Sequence, residues 1–195
     1  MNSLDNLNAL AATLPDDLPL LCRSVLDHPH FVLVPASIKH HHYWIGGLVD
    51  HTFEVTELAR EMCGTRSAQL IVTVAAIFHD FAKIYEYETR FTAGVNSPIF
   101  QDDAVAIALP YHQTTGHIVG SYLHFWKAVD SLPKRSMSLS EANERFALFS
   151  EIGHCILAHH GRKEWGSPVE PQTLEAHILH SADMTSMQRA KASQK

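Results

Sequence analysis

The sequence is poor in cysteine, in net positive charge and in long apolar runs, and each shortage closes off a class of protein. Its three cysteines, Cys22, Cys63 and Cys155, stand far apart with no C-x-x-C pair. That spacing excludes a disulfide framework and a zinc ribbon, and it suits free thiols in a reducing compartment. Fifteen Lys and Arg face twenty-one Asp and Glu, a formal charge of −6. No global field therefore gathers nucleic acid, and any such binding has to use a local patch. No apolar run approaches about 18 residues, the length that spans a bilayer, and the first five residues lack the basic and apolar regions of a signal peptide. The expectation is a cytoplasmic protein with no membrane partner. Low-complexity tracts, linkers and internal repeats are missing as well, so residues 1–195 are expected to form one domain with its core over residues 28–187.

Histidine is what the sequence has in excess. Fifteen are present, although His is favoured neither in cores nor as a solubilising residue. The rest of the composition, 46% hydrophobic and 18% charged, is that of an ordinary globular chain with one core.

Periodicity predicts an almost wholly helical chain. Over residues 3–28, Leu4, Leu7, Leu10 and Leu14 and then Leu18, Leu21 and Val25 mark two short amphipathic helices ended by Pro29. Gly46-Gly47 breaks the chain before a helix to about Cys63 that carries His51. An uncharged run from Leu70 to Phe78 predicts a buried helix, and residues 85–100 read as a small β hairpin with its turn at Gly94–Pro98. Further helices are expected from Gly116 to Ser131, from Leu139 to an end at Ala158-His159-His160-Gly161 with Gly161 as its stop, and from Gln172 to Arg189, with a frayed tail from Lys191. In the second of these, Phe146, Phe149, Ile152, Ile156 and Leu157 are placed inward.

The Leu70–Phe78 helix ends on the adjacent pair His79-Asp80. A buried helix has little reason to finish on two ionisable groups unless something repays their desolvation. A divalent transition metal does so, since imidazole and carboxylate are both good ligands; a capped helix end is the plainer reading of that pair alone. Other helices supply His51, His117, His159, His160 and Asp183, and facing helices of a bundle are a common frame for a metal centre.

The ordered series His51, His79-Asp80, His117, His159-His160, Asp183 resembles the HD-domain superfamily of metal-dependent phosphohydrolases, in its two-metal branch. Local matches at His41-His42-Tyr43, Gly46-Gly47-Leu48, His79-Asp80-Phe81-Ala82-Lys83, Gly116-His117-Ile118, His159-His160-Gly161 and Gly166-Ser167-Pro168-Val169 resemble the HD domain of YhaM-type 3′–5′ exoribonucleases. The resemblance implies an all-α HD-domain helical bundle. It implies one ion held by His51, His79, Asp80 and Asp183, and a second held by His117, His159 and His160 with Asp80 bridging. Mn²⁺, Fe²⁺, Zn²⁺ and Ni²⁺ suit such ligands better than Mg²⁺ or Ca²⁺. Family members of this type carry an OB-fold before the HD domain; the residues preceding it here are too few and too helical to form one.

The implied activity is two-metal hydrolysis of phosphodiesters at the 3′ end of single-stranded RNA, DNA or short oligonucleotides, with a nucleotidase or a mixed-valent di-iron oxygenase as alternatives. Lys83 either reaches a substrate phosphate or is a solvated cation at a helix end. Arg162 and Lys163 either form a basic rim or are surface charges. His41 and His42 are candidates for substrate phosphate, His154 and His180 for orienting ligands, and Tyr43, Trp44 and Trp165 for base stacking or packing. His40 reads as solvated, and His28, His30, His112 and His124 as structural. A homo-oligomer is left open.

Overall fold

The computed structural model describes residues 2–38, 41–91 and 104–192. The first helix, α1 (Ser3–Ala12), opens on a capping box between Asn2 and Asp5 and buries Leu7 and Ala11. α2 (Leu18–Leu26) starts with a proline in its first turn and buries Leu18, Leu21, Cys22, Val25 and Leu26. A single 3-10 turn, Pro29–Val32, leads towards α3 (Gly47–Met62).

Helix α4 (Arg66–Phe78) is the axis of the molecule. Thr65 caps it by accepting from the Ala68 amide at 3.1 Å, so the helix begins a full turn before the expected Leu70. From Val72 to Phe78 every residue is buried, because α1, α2, α3, α6, α7 and α8 all pack around it. A helix that is apolar on all sides needs such a sheath. The stretch Arg66–Glu86 is long and apolar enough to cross a membrane by length and composition, but 78% of its apolar 18-residue window is buried inside this bundle.

Beyond α4 come α5 (Lys83–Glu86) and the strands β1 (Tyr87–Phe91) and β2 (Ala104–Ala108), paired antiparallel with Tyr87 opposite Ala108. The hairpin is therefore present but displaced. Tyr85 and Glu86 belong to a helical turn, and the second strand lies beyond residue 100; the expected turn at Gly94–Pro98 falls outside the described residues. A 3-10 turn at Pro110–Gln113 precedes α6 (Gly116–Asp130), α7 (Leu139–Ala158), another 3-10 turn at Lys163–Trp165, and α8 (Leu174–Ala192). Lys191 is still helical, against the fraying expected from that residue.

One inward assignment in α7 fails. Phe149, Ile152 and Ile156 are buried and Leu157 is half-buried, but Phe146 is 65% exposed. Phe146 meets the ring of Trp126 on the outside of the bundle instead of entering the core, while its neighbour Arg145 pairs with Asp17 at 3.1 Å.

Candidate metal centre

The centre is built where α4 ends. His79 still has helical dihedrals, and the chain then turns through bonds from Phe81 N to the Phe78 carbonyl and from Lys83 N to the Asp80 carbonyl. His79 and Asp80 are thereby set side by side and buried. His51 reaches them from α3, Asp183 from α8, His159 and His160 from the end of α7, and His117 from the first turn of α6.

The two oxygens of Asp80 face different partners. Oδ2 lies 3.3 Å from His51 Nε2, 3.4 Å from His79 Nε2 and 2.5 Å from Lys83 Nζ. Oδ1 lies 3.3 Å from His117 Nε2 and 3.6 Å from His159 Nε2. His51 Nε2 is also 3.1 Å from Asp183 Oδ1 and 3.4 Å from His79 Nε2. Most of these separations exceed a normal N–H···O bond.

The opposite nitrogen of each ring explains the arrangement. Nδ1 donates to the Ala76 carbonyl in His79, to the Ile156 carbonyl in His159 and to the Trp165 carbonyl in His160, at 2.7, 2.7 and 2.8 Å. In His117 it donates to Glu86 Oε1 at 3.1 Å, and in His51 it pairs with Ser186 Oγ at 3.0 Å. Ser186 in turn donates to Glu54 Oε2 at 2.8 Å. A proton held on Nδ1 leaves Nε2 with its lone pair, the form in which histidine binds metals.

The electrostatics agree. Burial pushes the Asp80 carboxyl up, but Lys83, His79 and His117 outweigh it and hold the group well below the usual carboxylate range. Burial likewise opposes ionisation of Asp183, and His51 overrides it. His117 and His159 are held below the ordinary imidazole value by burial, and His160 is brought to about 4. His51 is raised: burial disfavours its charge, but Asp183 and Asp80 favour it more. The centre thus presents anionic carboxylates and several neutral imidazoles.

These residues fit divalent ions. Asp80 Oδ1, His117 Nε2 and His159 Nε2 are buried polar atoms without a hydrogen-bond partner among the described residues, and leaving such atoms unsatisfied is costly. Ligand atoms of His51, His79 and Asp80 lie within 4.8 Å of one another, as do those of His117, His159 and His160. The first group is entered by Asp183 as well, so the two sets meet at Asp80.

The remaining expected residues are partly brought in. Lys83 is 7% exposed and paired with Asp80, which removes the reading of a solvated lysine at a helix end. Burial disfavours its charge, but Asp80 and then Tyr87 reverse the balance, so its pKa is raised. His41 and His42 are buried against His51, with ring centroids 4.9 and 5.3 Å away. A cavity of about 360 Å³ opens over the centre, with Lys83, His41, His160, Trp165, Met184 and Met187 among its walls. Arg162 and Lys163 do not line it. Arg162 stacks on the Trp165 ring at 5.0 Å and faces a neighbouring cleft that includes Glu164, Glu170 and His177.

Trp44 donates from Nε1 to Asp50 at 2.8 Å, and His180 Nδ1 donates to the His159 carbonyl at 2.8 Å. His154 accepts from the Gln172 amide at 3.0 Å, away from the ligands. His28 and His124 pack against Phe81, and His30 against His28. His40 and the His112 side chain lie outside the described residues. Sequence reasoning missed Glu86, Glu54 and Ser186. Ser186 follows Asp183 by three residues on α8 and Glu54 follows His51 by three on α3, a spacing that places each pair on one face; nothing local ties Glu86 to His117, 31 residues later.

Comparison with known proteins places the chain in a family. The 3′-5′ exoribonuclease YhaM of Geobacillus sp. (strain WCH70) is 28% identical over 155 residues, 76% of this chain and 40% of the relative. Proteins of the same name from Listeria welshimeri serovar 6b and Bacillus subtilis (strain 168) are 28% and 29% identical, covering 77% and 78% of the chain. The matches take up 41% and 42% of those relatives, so the chain spans about two fifths of the length of the curated relatives it matches. No solved structure matches. The family model of the HD domain matches residues 48–188. That span holds Asp80 and the six residues gathered around it, and the chain belongs to the HD-domain family.

Proposed function

We propose that the protein is a metal-dependent phosphohydrolase that cleaves phosphodiester bonds at the 3′ end of single-stranded nucleic acid or short oligonucleotides. The observation that carries this reading is the division of Asp80: one oxygen faces His51 and His79, the other His117 and His159. The reading assigns His51, His79, Asp80 and Asp183 to one divalent ion and His117, His159, His160 and Asp80 to another, with Mn²⁺, Fe²⁺, Zn²⁺ or Ni²⁺ as the metal. Ions held by such a set supply Lewis-acid polarisation of the phosphoryl group and a water-derived nucleophile at neutral pH.

The protein's own groups do the rest. Lys83 is the one Lys or Arg on the cavity wall among the described residues. A lysine whose pKa is held above its ordinary value is a poor proton donor at neutral pH and a dependable charge. Its role is to hold a phosphate oxygen beside Asp80. His41, buried and near neutral, supplies a hydrogen bond on the same wall. Trp165, half-exposed at the cavity edge with Arg162 against its ring, offers a face for a terminal base. The named activity of the YhaM relatives supports a nucleic-acid substrate.

The test is a panel of purified protein with Mn²⁺ against a generic phosphodiester, mononucleotides, dinucleotides and labelled single-stranded RNA and DNA. Release of nucleoside monophosphates from oligonucleotide 3′ ends, abolished in folded Asp80→Ala, is the expected result. Turnover of mononucleotides alone moves the protein to a nucleotidase. Oxygen consumption with a non-phosphorylated substrate moves it to the oxygenases.

A further inference from the structure

Four of the five imidazoles gathered at the centre take their orientation from a neutral acceptor: His79, His159 and His160 from backbone carbonyls within five residues, and His51 from a serine. His117 differs. Its Nδ1 is held by Glu86, a side chain 31 residues earlier in the sequence.

Glu86 is 1% exposed and does two things with one oxygen. Oε1 accepts from the His117 backbone N–H at 2.6 Å and from the ring Nδ1 at 3.1 Å. The backbone bond matters because α6 begins on Thr115 without any side-chain cap, after which Gly116 turns the chain at φ +69°. Glu86 therefore satisfies a donor in the first turn of α6, where a negative charge is also favoured by the helix dipole. Its own backbone carbonyl accepts from Leu109 N at 2.7 Å, which ties the far end of the hairpin to the same point. Since Glu86 sits at the end of α5, six residues after Asp80, it links the bridging carboxylate to the helix that brings His117.

We infer that Glu86 is the positioning residue of the His117–His159–His160 half of the centre, and that this half can be lost without losing the His51–His79–Asp183 half. The inference rests on the two-ion reading above. It follows from where the supports come from. Glu86 fixes the tautomer, the ring plane and the helix end of His117 together, while the anchors of His51 and His79 lie on α8 and α4 and do not involve it. Outer partners of metal-binding histidines commonly contribute about 10–100-fold to metal affinity.

The test is a calorimetric Mn²⁺ titration of wild type, Glu86→Ala, Glu86→Asp and Glu86→Gln, with the exchange-coupled EPR signal of a Mn²⁺ pair as a second readout. Wild type is expected to take up two equivalents. Glu86→Ala should weaken one of them by about 10–100-fold, leave the other unchanged and lose the coupled signal. Glu86→Asp keeps the charge but withdraws the acceptor by one methylene, so it should show the same loss; it also serves if Glu86→Ala fails to fold, as judged by melting in EDTA. Glu86→Gln keeps an oxygen at the same reach and should recover most of the affinity. Two unchanged equivalents in both Glu86→Ala and Glu86→Asp overturn the inference alone. A single equivalent in wild type overturns the two-ion reading, and the inference falls with it.

Discussion

At the scale of single residues, the buried ion pair of Lys83 and Asp80 governs both stability and chemistry. Asp80 is 2% exposed and its nearest cation is the Lys83 ammonium at 2.5 Å. Removing one partner of such a pair leaves a buried charge uncompensated, which is far more costly than the pair is worth. Lys83→Met, close in volume and neutral, should therefore destabilise the metal-free protein by about 3 kcal/mol, measured by urea unfolding in EDTA. Saturating Mn²⁺ should narrow that gap, because the ions take over the compensation, while turnover stays below wild type. An unchanged midpoint in EDTA would mean that the surrounding histidines carry the compensating charge. His79-Asp80 stood out in the sequence because an apolar run ended on it, and the histidines and aspartate supplied by other helices made it a candidate metal pair instead of a capped helix end. The burial of Lys83 was not legible: whether a lysine three residues beyond Asp80 turns inward depends on the tight turn after α4.

At the scale of elements, the entry into α3 decides where His41 and His42 sit. Gly46 caps the helix with φ +78°, and Gly47 packs directly on the backbone of His42. A Cβ on Gly47 would fall 2.0 Å from the His42 carbonyl oxygen, a backbone atom that cannot swing aside. Gly47→Ala should cost about 2 kcal/mol or more through this overpacking. It should also lower activity, since the displaced segment carries His41 and His42 against His51; comparing melting with turnover in the same preparation checks both. The pattern Gly46-Gly47 was readable as a helix start. That the second glycine makes room for a histidine backbone was not, because the clash is with a chain segment five residues earlier folded back on the helix.

At the scale of the whole molecule, the centre makes stability depend on pH. His41 is pushed down to about 2 and His42 to about 4, and His117, His159 and His160 are also lowered, in each case first by burial. In the unfolded chain these groups titrate near 6.5. The unfolded state then binds more protons below that value, so their contribution is complete above about pH 6.5 and is lost as pH falls. Asp80 and Asp183, both depressed, contribute above about pH 4 and are lost below it. His51 is raised and acts in the opposite sense, contributing at low pH and losing that as pH rises through its folded value. Five lowered imidazoles outweigh it. The urea midpoint of metal-free protein should be lower at about pH 5 than at about pH 7.5; an equal or higher midpoint would show that these imidazoles are accessible to protons in the folded state.

Sequence by itself determined the helical class and the order of the helices, because periodicity, caps and the abrupt end of an apolar run are local signals; the set of Asp80 and its six companions was named by the resemblance of their ordered series to the HD superfamily. It placed the hairpin too early and Phe146 inside, since strand pairing and the face that α7 turns to the core depend on what lies opposite. Only the tertiary structure decided which Asp80 oxygen faces which histidines, that Glu86, Glu54 and Ser186 set the histidine tautomers, and that Lys83 is buried while Arg162 is turned to a neighbouring cleft. Those are matters of a few ångströms between segments up to 135 residues apart, and no local pattern carries information at that range.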